Sequence, residues 1–205
     1  ILGGLTGSGK TEFLNTFNES IDLEGIANHR GSAFGGKDDG QPSQANFENI
    51  LTLNYLNHNH NYLILEDESR TIGRTGLPGL WYEKMQTSKL IILEVENDIR
   101  AENIYDEYIY DEIKSGLSEE ALLNKYLGSL KNISRRLGNE VYNKIKDLME
   151  NAFFKNDKEL HKEWITMILL NYYDKMYNYK LNLRKDFIVY RGSIELCREY
   201  INSKL

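Results

Sequence analysis

Three observations predict an α/β protein with a mainly parallel sheet layered between helices. A glycine-rich turn ending in Lys-Thr lies at the start of the chain. Short apolar runs that end in acids or glycine alternate with helical periodicity over residues 1–98. A long stretch of 3.6-residue periodicity over 99–186 then precedes one last apolar run and a helix at 187–205. The expected organisation is an α/β core at 1–98, a helical insertion at 99–186, and a return to the core at 187–205.

The opening turn is Gly4-Leu5-Thr6-Gly7-Ser8-Gly9-Lys10-Thr11, a G-x-x-x-x-G-K-T loop of the Walker A type. Gly4, Gly7 and Gly9 let the backbone curl so that successive N–H groups, Ser8 included, face an anion. Lys10 brings an ammonium to the outer phosphates, Thr11 offers a hydroxyl to Mg²⁺, and the helix beginning at Gly9-Lys10 adds the positive end of its dipole. The loop makes the expected fold class specific: a P-loop NTPase-like three-layer core. The loop does not say which phosphate it holds.

Only Ile1-Leu2 precede the loop, so strand residues are expected upstream. A helix over Lys10–Phe17 leaves little chain before the next run, so residues are also expected to be missing between Thr11 and Asp22. Ile21–Gly25 reads as the end of a second strand, with Asp22 and Glu24 on one face. Residues 27–44 form a long polar loop, and Ala45–Leu56 a helix with Phe47, Ile50, Leu51 and Tyr55 on its apolar side. Tyr62–Leu65 is a buried strand ending in Glu66-Asp67-Glu68. Ser69–Pro78 is a loop, and Lys89–Val95 a further strand. Helices follow over Ala101–Lys114, from a Ser118 cap to Leu137 with a stop at Gly138, over Asn139–Phe154, and from an Asp157 cap to about Tyr177. Phe187–Tyr190 is the last strand, Arg191–Ser193 a turn, and a helix ends the chain.

The 205 residues carry a net charge of −6. Residues 1–100 hold 8 Lys/Arg against 14 Asp/Glu, and the rest 17 against 17. That balance argues against a protein gripping nucleic acid by a general basic excess, so an RNA contact requires a local patch or a partner. No apolar run reaches the ~20 residues of a membrane span. Cys197 is the only cysteine, which excludes an internal disulfide and fits a reducing, cytoplasmic setting.

Several candidate site residues fall at the carboxyl ends of the expected strands, where open parallel sheets bind ligands. Glu66 or Asp67 holds Mg²⁺ directly or through water, or the acids are a solvated strand end. Asp22 and Glu24 orient a hydroxyl or act as base, or simply face water. His29, Arg30, Gly31 and Ser32 form an anion pocket or a plain loop. Arg70 and Arg74 clamp a second phosphate or an RNA backbone, or pair with nearby acids. Lys131, Arg135, Arg136, Lys144 and Lys146 are an RNA strip or a solvated face. Trp164, Tyr172, Tyr173, Tyr177 and Tyr179 stack bases or pack a core. Cys197 reads as a buried structural thiol.

Taken together, Gly3–Glu12, the block Asp22-Leu23-Glu24-Gly25-Ile26-Ala27-Asn28-His29-Arg30-Gly31-Ser32, Gln41-Pro42-Ser43-Gln44, and Glu66-Asp67-Glu68-Ser69-Arg70 with Ile72-Gly73-Arg74 resemble the phosphate-loop domain of the tRNA 2-selenouridine synthase family. Arg136-Leu137-Gly138, His161 with Trp164-Ile165, and Tyr172-Tyr173-Asp174-Lys175-Met176-Tyr177 extend the likeness nearly end to end. The resemblance implies an enzyme acting on the wobble 2-thiouridine of certain tRNAs. Sulfur is replaced by selenium from selenophosphate, after a geranylated intermediate made from geranyl diphosphate. Family members carry a rhodanese-like domain ahead of the phosphate-loop domain, and its cysteine serves the selenium step. This chain has no such domain and no cysteine before Cys197, and Lys175 stands where the family has proline. It is therefore expected to be a fragment or one half of a split enzyme working with a rhodanese-domain protein.

The resemblance and the residues meet at a diphosphate held by the loop. Two rival readings remain at this point. One is a small-molecule kinase or generic ATP/GTP-binding NTPase using Lys10, Thr11 and Asp22. The other is a non-catalytic tRNA-binding module.

Overall fold

The computed structural model describes residues 1–204 and divides into two compact units. The first holds Ile1–Gly4, Gly9–Glu94 and Arg184–Leu205; the second holds Leu5–Ser8 and Val95–Leu183.

The first unit is built on parallel strands β1 (Leu2–Gly4), β2 (Ser20–Ile21), β3 (Ile64–Leu65), β6 (Leu90–Leu93) and β7 (Ile188–Gly192). β1 pairs in parallel with β6, and β6 with β7; β2 pairs in parallel with β3. A single parallel bridge, Leu2 to Glu66, with the Asp67 N–H donating to the Leu2 carbonyl at 2.8 Å, ties the two groups into the order β2-β3-β1-β6-β7. The acid-bearing end of β3 therefore lies directly beside the strand that feeds the glycine loop.

Strand alternation divides the apolar side chains between two faces. Leu2, Leu93 and Ile64 pack with α1 (Lys10–Leu14) and α11 (Ile194–Asn202) through Phe13, Leu14, Phe17, Cys197 and Ile201. Ile21 and Leu65 pack with α2 (Leu23–Ala27), α3 (Gln44–Leu56) and α4 (Gly79–Gln86) through Leu23, Ala27, Phe47, Leu51 and Met85.

Several local expectations change. The second strand stops at Ile21, because Asp22 takes an extended conformation and its Oδ1 accepts the Gly25 N–H at 2.7 Å, capping α2. Asp22 and Glu24 therefore belong to a helix start and not to one face of a strand. The first helix ends at Leu14 instead of Phe17, and two tight turns reach Ser20. On α3 only Phe47 and Leu51 are buried; Ile50 and Tyr55 are 41% and 53% exposed. The segment expected as a loop at 69–78 contains the hairpin β4 (Thr71–Ile72) and β5 (Thr75–Gly76). Two-residue strands carry too little alternation to register in a sequence. Side chains far away staple this hairpin: Gln41 Nε2 donates to the Ile72 carbonyl at 2.9 Å, and Gln44 bonds both the N–H and C=O of Gly76.

Cys197 is fully buried, its thiol directed at the Gly192 and Ile92 carbonyls at 3.4 and 3.6 Å. Burial, followed by the charge of Glu94, pushes this thiol up to about 11. It is expected to resist maleimide labelling in the native protein and to react on unfolding; rapid native labelling would contradict this placement.

The second unit is helical: α5 (Asn97–Tyr105), a π turn (Asp106–Tyr110), α6 (Asp111–Lys114), α7 (Glu119–Leu137), α8 (Asn139–Lys155), α9 (Lys158–Ile168), a second π turn (Leu169–Tyr173) and α10 (Asp174–Leu183). The caps lie where the sequence places them. Ser118 accepts the Ala121 N–H, Gly138 ends α7 at φ 80°, and Asp157 accepts from Glu159 and Leu160. Leu122, Tyr126, Leu130, Ile133 and Leu137 form the buried stripe of α7. Trp164 and Tyr172 belong to the core, while Tyr179 is exposed. Among the described residues no helix is long and apolar enough to cross a membrane.

Candidate functional site

The loop between β1 and α1 has the backbone that its glycines permit. Gly7 and Gly9 take φ of 81° and 72°, and Gly9 is the left-handed N-cap of α1. Lys10 folds its ammonium back onto the Gly4 carbonyl at 2.9 Å. The Ser8 hydroxyl is buried without a hydrogen-bond partner among the described residues.

Thr11, in the first turn of α1, donates to Glu66 Oε1 at 2.8 Å and lies 3.4 Å from Glu24 Oε2. Glu66 Oε2 accepts the Glu24 N–H at 3.3 Å. Only 1% of Glu66 is exposed. Burial, then the carboxylates of Asp22 and Glu68, push its carboxyl up to about 7, against the hydrogen bonds from Thr11 and the Glu24 N–H.

Of the two adjacent acids, the β1–β3 register turns Glu66 toward Thr11 and Asp67 elsewhere. Asp67 accepts an ion pair from Arg184, whose guanidinium also donates to the Met85 carbonyl at 2.9 Å. Asp67 is thereby spent on fixing the chain, and Asp22 on its helix cap.

The turn at His29–Gly36 packs beside these acids. A Cβ on Gly31 would collide with the Glu24 carboxylate and stand 3.0 Å from Glu68 Oε2, so glycine lets the carboxylates approach. The turn uses its own polar groups. The Gly31 N–H donates to His29 Nδ1 at 3.1 Å, and the Phe34 N–H to the Ser32 hydroxyl at 3.2 Å. Burial, then Arg30 and Lys37, hold the His29 pKa below its usual value, so the ring is neutral near pH 7. His29 also abuts Gly73 at the hairpin tip, next to Arg74, whose N–H donates to Gln41 Oε1 at 2.7 Å. A run of contacts thus leads from Thr11 through Glu66, Glu24 and Gly31 to His29 and the hairpin. The side chains of Arg70 and Arg74 are exposed on that hairpin.

Sequence reasoning did not single out Arg100 and Asn103, and named Asp174 only within the Tyr172–Tyr177 block of the family resemblance, with no role. Arg100 Nε donates to the Thr6 carbonyl at 2.9 Å, and Asn103 Nδ2 to the Gly7 carbonyl at 2.9 Å. Asp174 accepts both terminal nitrogens of Arg100, at 2.6 and 3.1 Å. Among the described residues no three His, Cys, Asp or Glu side chains are grouped to hold a metal ion.

An α/β protein with a parallel sheet, whose Gly-rich Lys-Thr loop opens beside a buried glutamate, is the class these features define. The chain belongs to the family described as the tRNA 2-selenouridine synthase AAA domain, which matches residues 1–205. It is 43% identical, over 217 aligned residues, to a tRNA 2-selenouridine synthase of Shewanella sp. (strain ANA-3), covering 98% of this chain and 59% of that protein. The protein of the same name in Shewanella oneidensis is 42% identical, with 98% and 57% covered. The chain therefore spans between 56% and 59% of the length of these curated relatives. No solved structure matches it.

Proposed function

We propose that this chain is the P-loop NTPase-like domain of an enzyme that converts wobble 2-thiouridine in tRNA to 2-selenouridine. Family membership supports the tRNA-modifying role, and one observation carries the site: Thr11, adjacent to Lys10, hydrogen-bonds the buried Glu66 at the end of the strand next to the loop strand. In this reading the loop N–H groups and Lys10 hold a diphosphate. Lys10 swings from the Gly4 carbonyl to the anion, and Ser8 gains the partner that its buried hydroxyl lacks.

The diphosphate we favour is that of geranyl diphosphate. Its C–O bond breaks with the electron pair leaving on diphosphate, while the sulfur of the 2-thiouridine bonds the geranyl carbon and the N3–H proton of the base is lost to water. The loop donors and Lys10 stabilise the departing charge. Exchange of the geranylated sulfur for selenium from selenophosphate falls to a rhodanese-like domain or partner. In this chain the Cys197 thiol is buried against the Gly192 and Ile92 carbonyls. Arg30, Arg70 and Arg74 are the residues proposed to meet the tRNA backbone. Thr11 and Glu66 fit Mg²⁺: both offer hard oxygens, and a loop cation takes its remaining ligands from phosphate and water, so no all-protein cage is needed. Bound there, Mg²⁺ would neutralise diphosphate charge.

The test is calorimetric titration of the wild type and Lys10→Ala with geranyl diphosphate, ATP and GTP, each with Mg²⁺. The wild type is expected to bind geranyl diphosphate, and Lys10→Ala to weaken it roughly 10- to 100-fold, the size of a lost charged hydrogen bond. Unchanged affinity in the variant, or nucleotide binding that geranyl diphosphate cannot displace, would overturn this reading.

A further inference from the structure

The second unit contains a device that acts on the loop backbone. Arg100 is 0% exposed, and its guanidinium is held by polar groups: Asp174 on both terminal nitrogens, Asn97 Oδ1 at 2.9 Å, and the Thr6 carbonyl on Nε. A guanidinium is planar, so bidentate capture by Asp174 fixes the direction of Nε–H. That direction is the Thr6 carbonyl. One turn along α5, Asn103 captures the Gly7 carbonyl. A Cβ on Gly7 would stand 2.7 Å from the Arg100 carbonyl and 2.8 Å from Ile104 Cδ1, so the loop lies flush against this helix.

In a trans peptide the C=O and the following N–H point opposite ways. Two donors that hold the Thr6 and Gly7 carbonyls against α5 therefore turn the Gly7 and Ser8 amides to the other side of the loop, where the Ser8 N–H donates to the Leu5 carbonyl at 3.1 Å. Released, the Thr6–Gly7 peptide can rotate and present an oxygen where an anion would sit, and the Gly7–Ser8 peptide is left with only the Ser8 N–H to Leu5 carbonyl bond to resist the same rotation.

We propose that Arg100, fixed by Asp174, and Asn103 are positioning residues that lock the loop's carbonyls outward and so preorganise its anion-facing side. The ligand consequence rests on the phosphate-binding reading above; the backbone consequence does not. The two parts can be measured separately.

The informative pair is Asn103→Ala and Asn103→Asp. Alanine removes the donor. Aspartate keeps the shape but sets an acceptor against the Gly7 carbonyl. A packing role predicts alanine as the worse change; a donor role predicts aspartate. We expect the backbone amide resonances of Gly7, Ser8 and Gly9 to move further from wild type in Asn103→Asp than in Asn103→Ala, with melting temperatures within a few degrees of each other. Affinity for Mg²⁺-geranyl diphosphate is expected to fall roughly threefold in Asn103→Ala and roughly tenfold or more in Asn103→Asp, as for one lost and one opposed hydrogen bond. Arg100→Lys, which keeps the charge and loses the fork, is expected to move the same amides. Loop amides in Asn103→Asp that overlay those of the wild type would overturn the proposal, whatever the ligand result. If the wild type binds none of the diphosphates while the amides move as expected, the positioning stands and the phosphate-binding reading falls.

Discussion

Asp174→Ala is expected to destabilise the helical unit by about 3–5 kcal/mol, the cost of leaving a buried charge without its partner. Arg100 has no exposed surface, and among the described residues Asp174 is its charged partner, through two hydrogen bonds. In water the guanidinium would be solvated; in this site Asp174 compensates its charge. For a protein of this size, 1 kcal/mol moves the melting temperature by roughly 2–4 °C, so a drop of about 10 °C is expected. The exposed pair Lys146–Glu150, 3.5 Å apart on one helix, provides the contrast. Lys146→Ala is expected to change stability by less than about 0.5 kcal/mol, since solvent screens that pair. Equal melting shifts for the two variants would show that the Arg100–Asp174 pair is not buried as described.

The second large effect concerns Glu66 and has an unusual sign. Its carboxyl titrates near 7 in the folded chain against an ordinary 4.5, chiefly through burial and then through Asp22 and Glu68. Between those values the folded state keeps a proton that the unfolded state has lost. Folding stability must then fall as pH rises from about 4.5 through 7, and the full penalty is present above 7. A shift of this size is on the order of 3 kcal/mol. Glu66→Gln removes the titration while keeping the acceptor for the Thr11 hydroxyl. It is expected to be more stable than wild type above pH 7 and to flatten the slope across that window. The same variant is expected to lose Mg²⁺-dependent diphosphate binding, so stability and function part company at one residue. Chemical denaturation at several pH values reads the slope. Identical pH profiles for the two proteins would show that Glu66 is ionised throughout and the carboxylates around it are screened.

Much of the helical half was legible before any coordinates, because its signals are local. Ser118, Gly138 and Asp157 each act within one helical turn, and the buried stripe of α7 repeats every three or four residues. The α/β character and the parallel sheet were legible for a similar reason: apolar runs, glycine loop and helix spacing are read from a few neighbouring residues. Short elements were not. A two-residue strand such as Ser20–Ile21 has no period to detect, and Asp22 serves as well for a strand end as for a helix cap until the chain's direction is known. The hairpin at 71–76 depends on Gln41 and Gln44, which reach it from roughly thirty residues away in sequence.

By itself the sequence determined the glycine loop with its Lys-Thr end, the long helices of the second half with their Ser118, Gly138 and Asp157 signals, and the family to which the chain belongs. Only the tertiary structure decided which of two neighbouring acids meets Thr11. Glu66 and Asp67 follow the end of β3, and their assignment follows from the register with Leu2 across the sheet. It also decided that Arg100, Asn103 and Asp174 hold the loop, through contacts that span 74 to 96 residues of chain. Periodicity and capping are short-range properties of a backbone. Register and burial arise only when distant segments pack, and no local pattern encodes their partners.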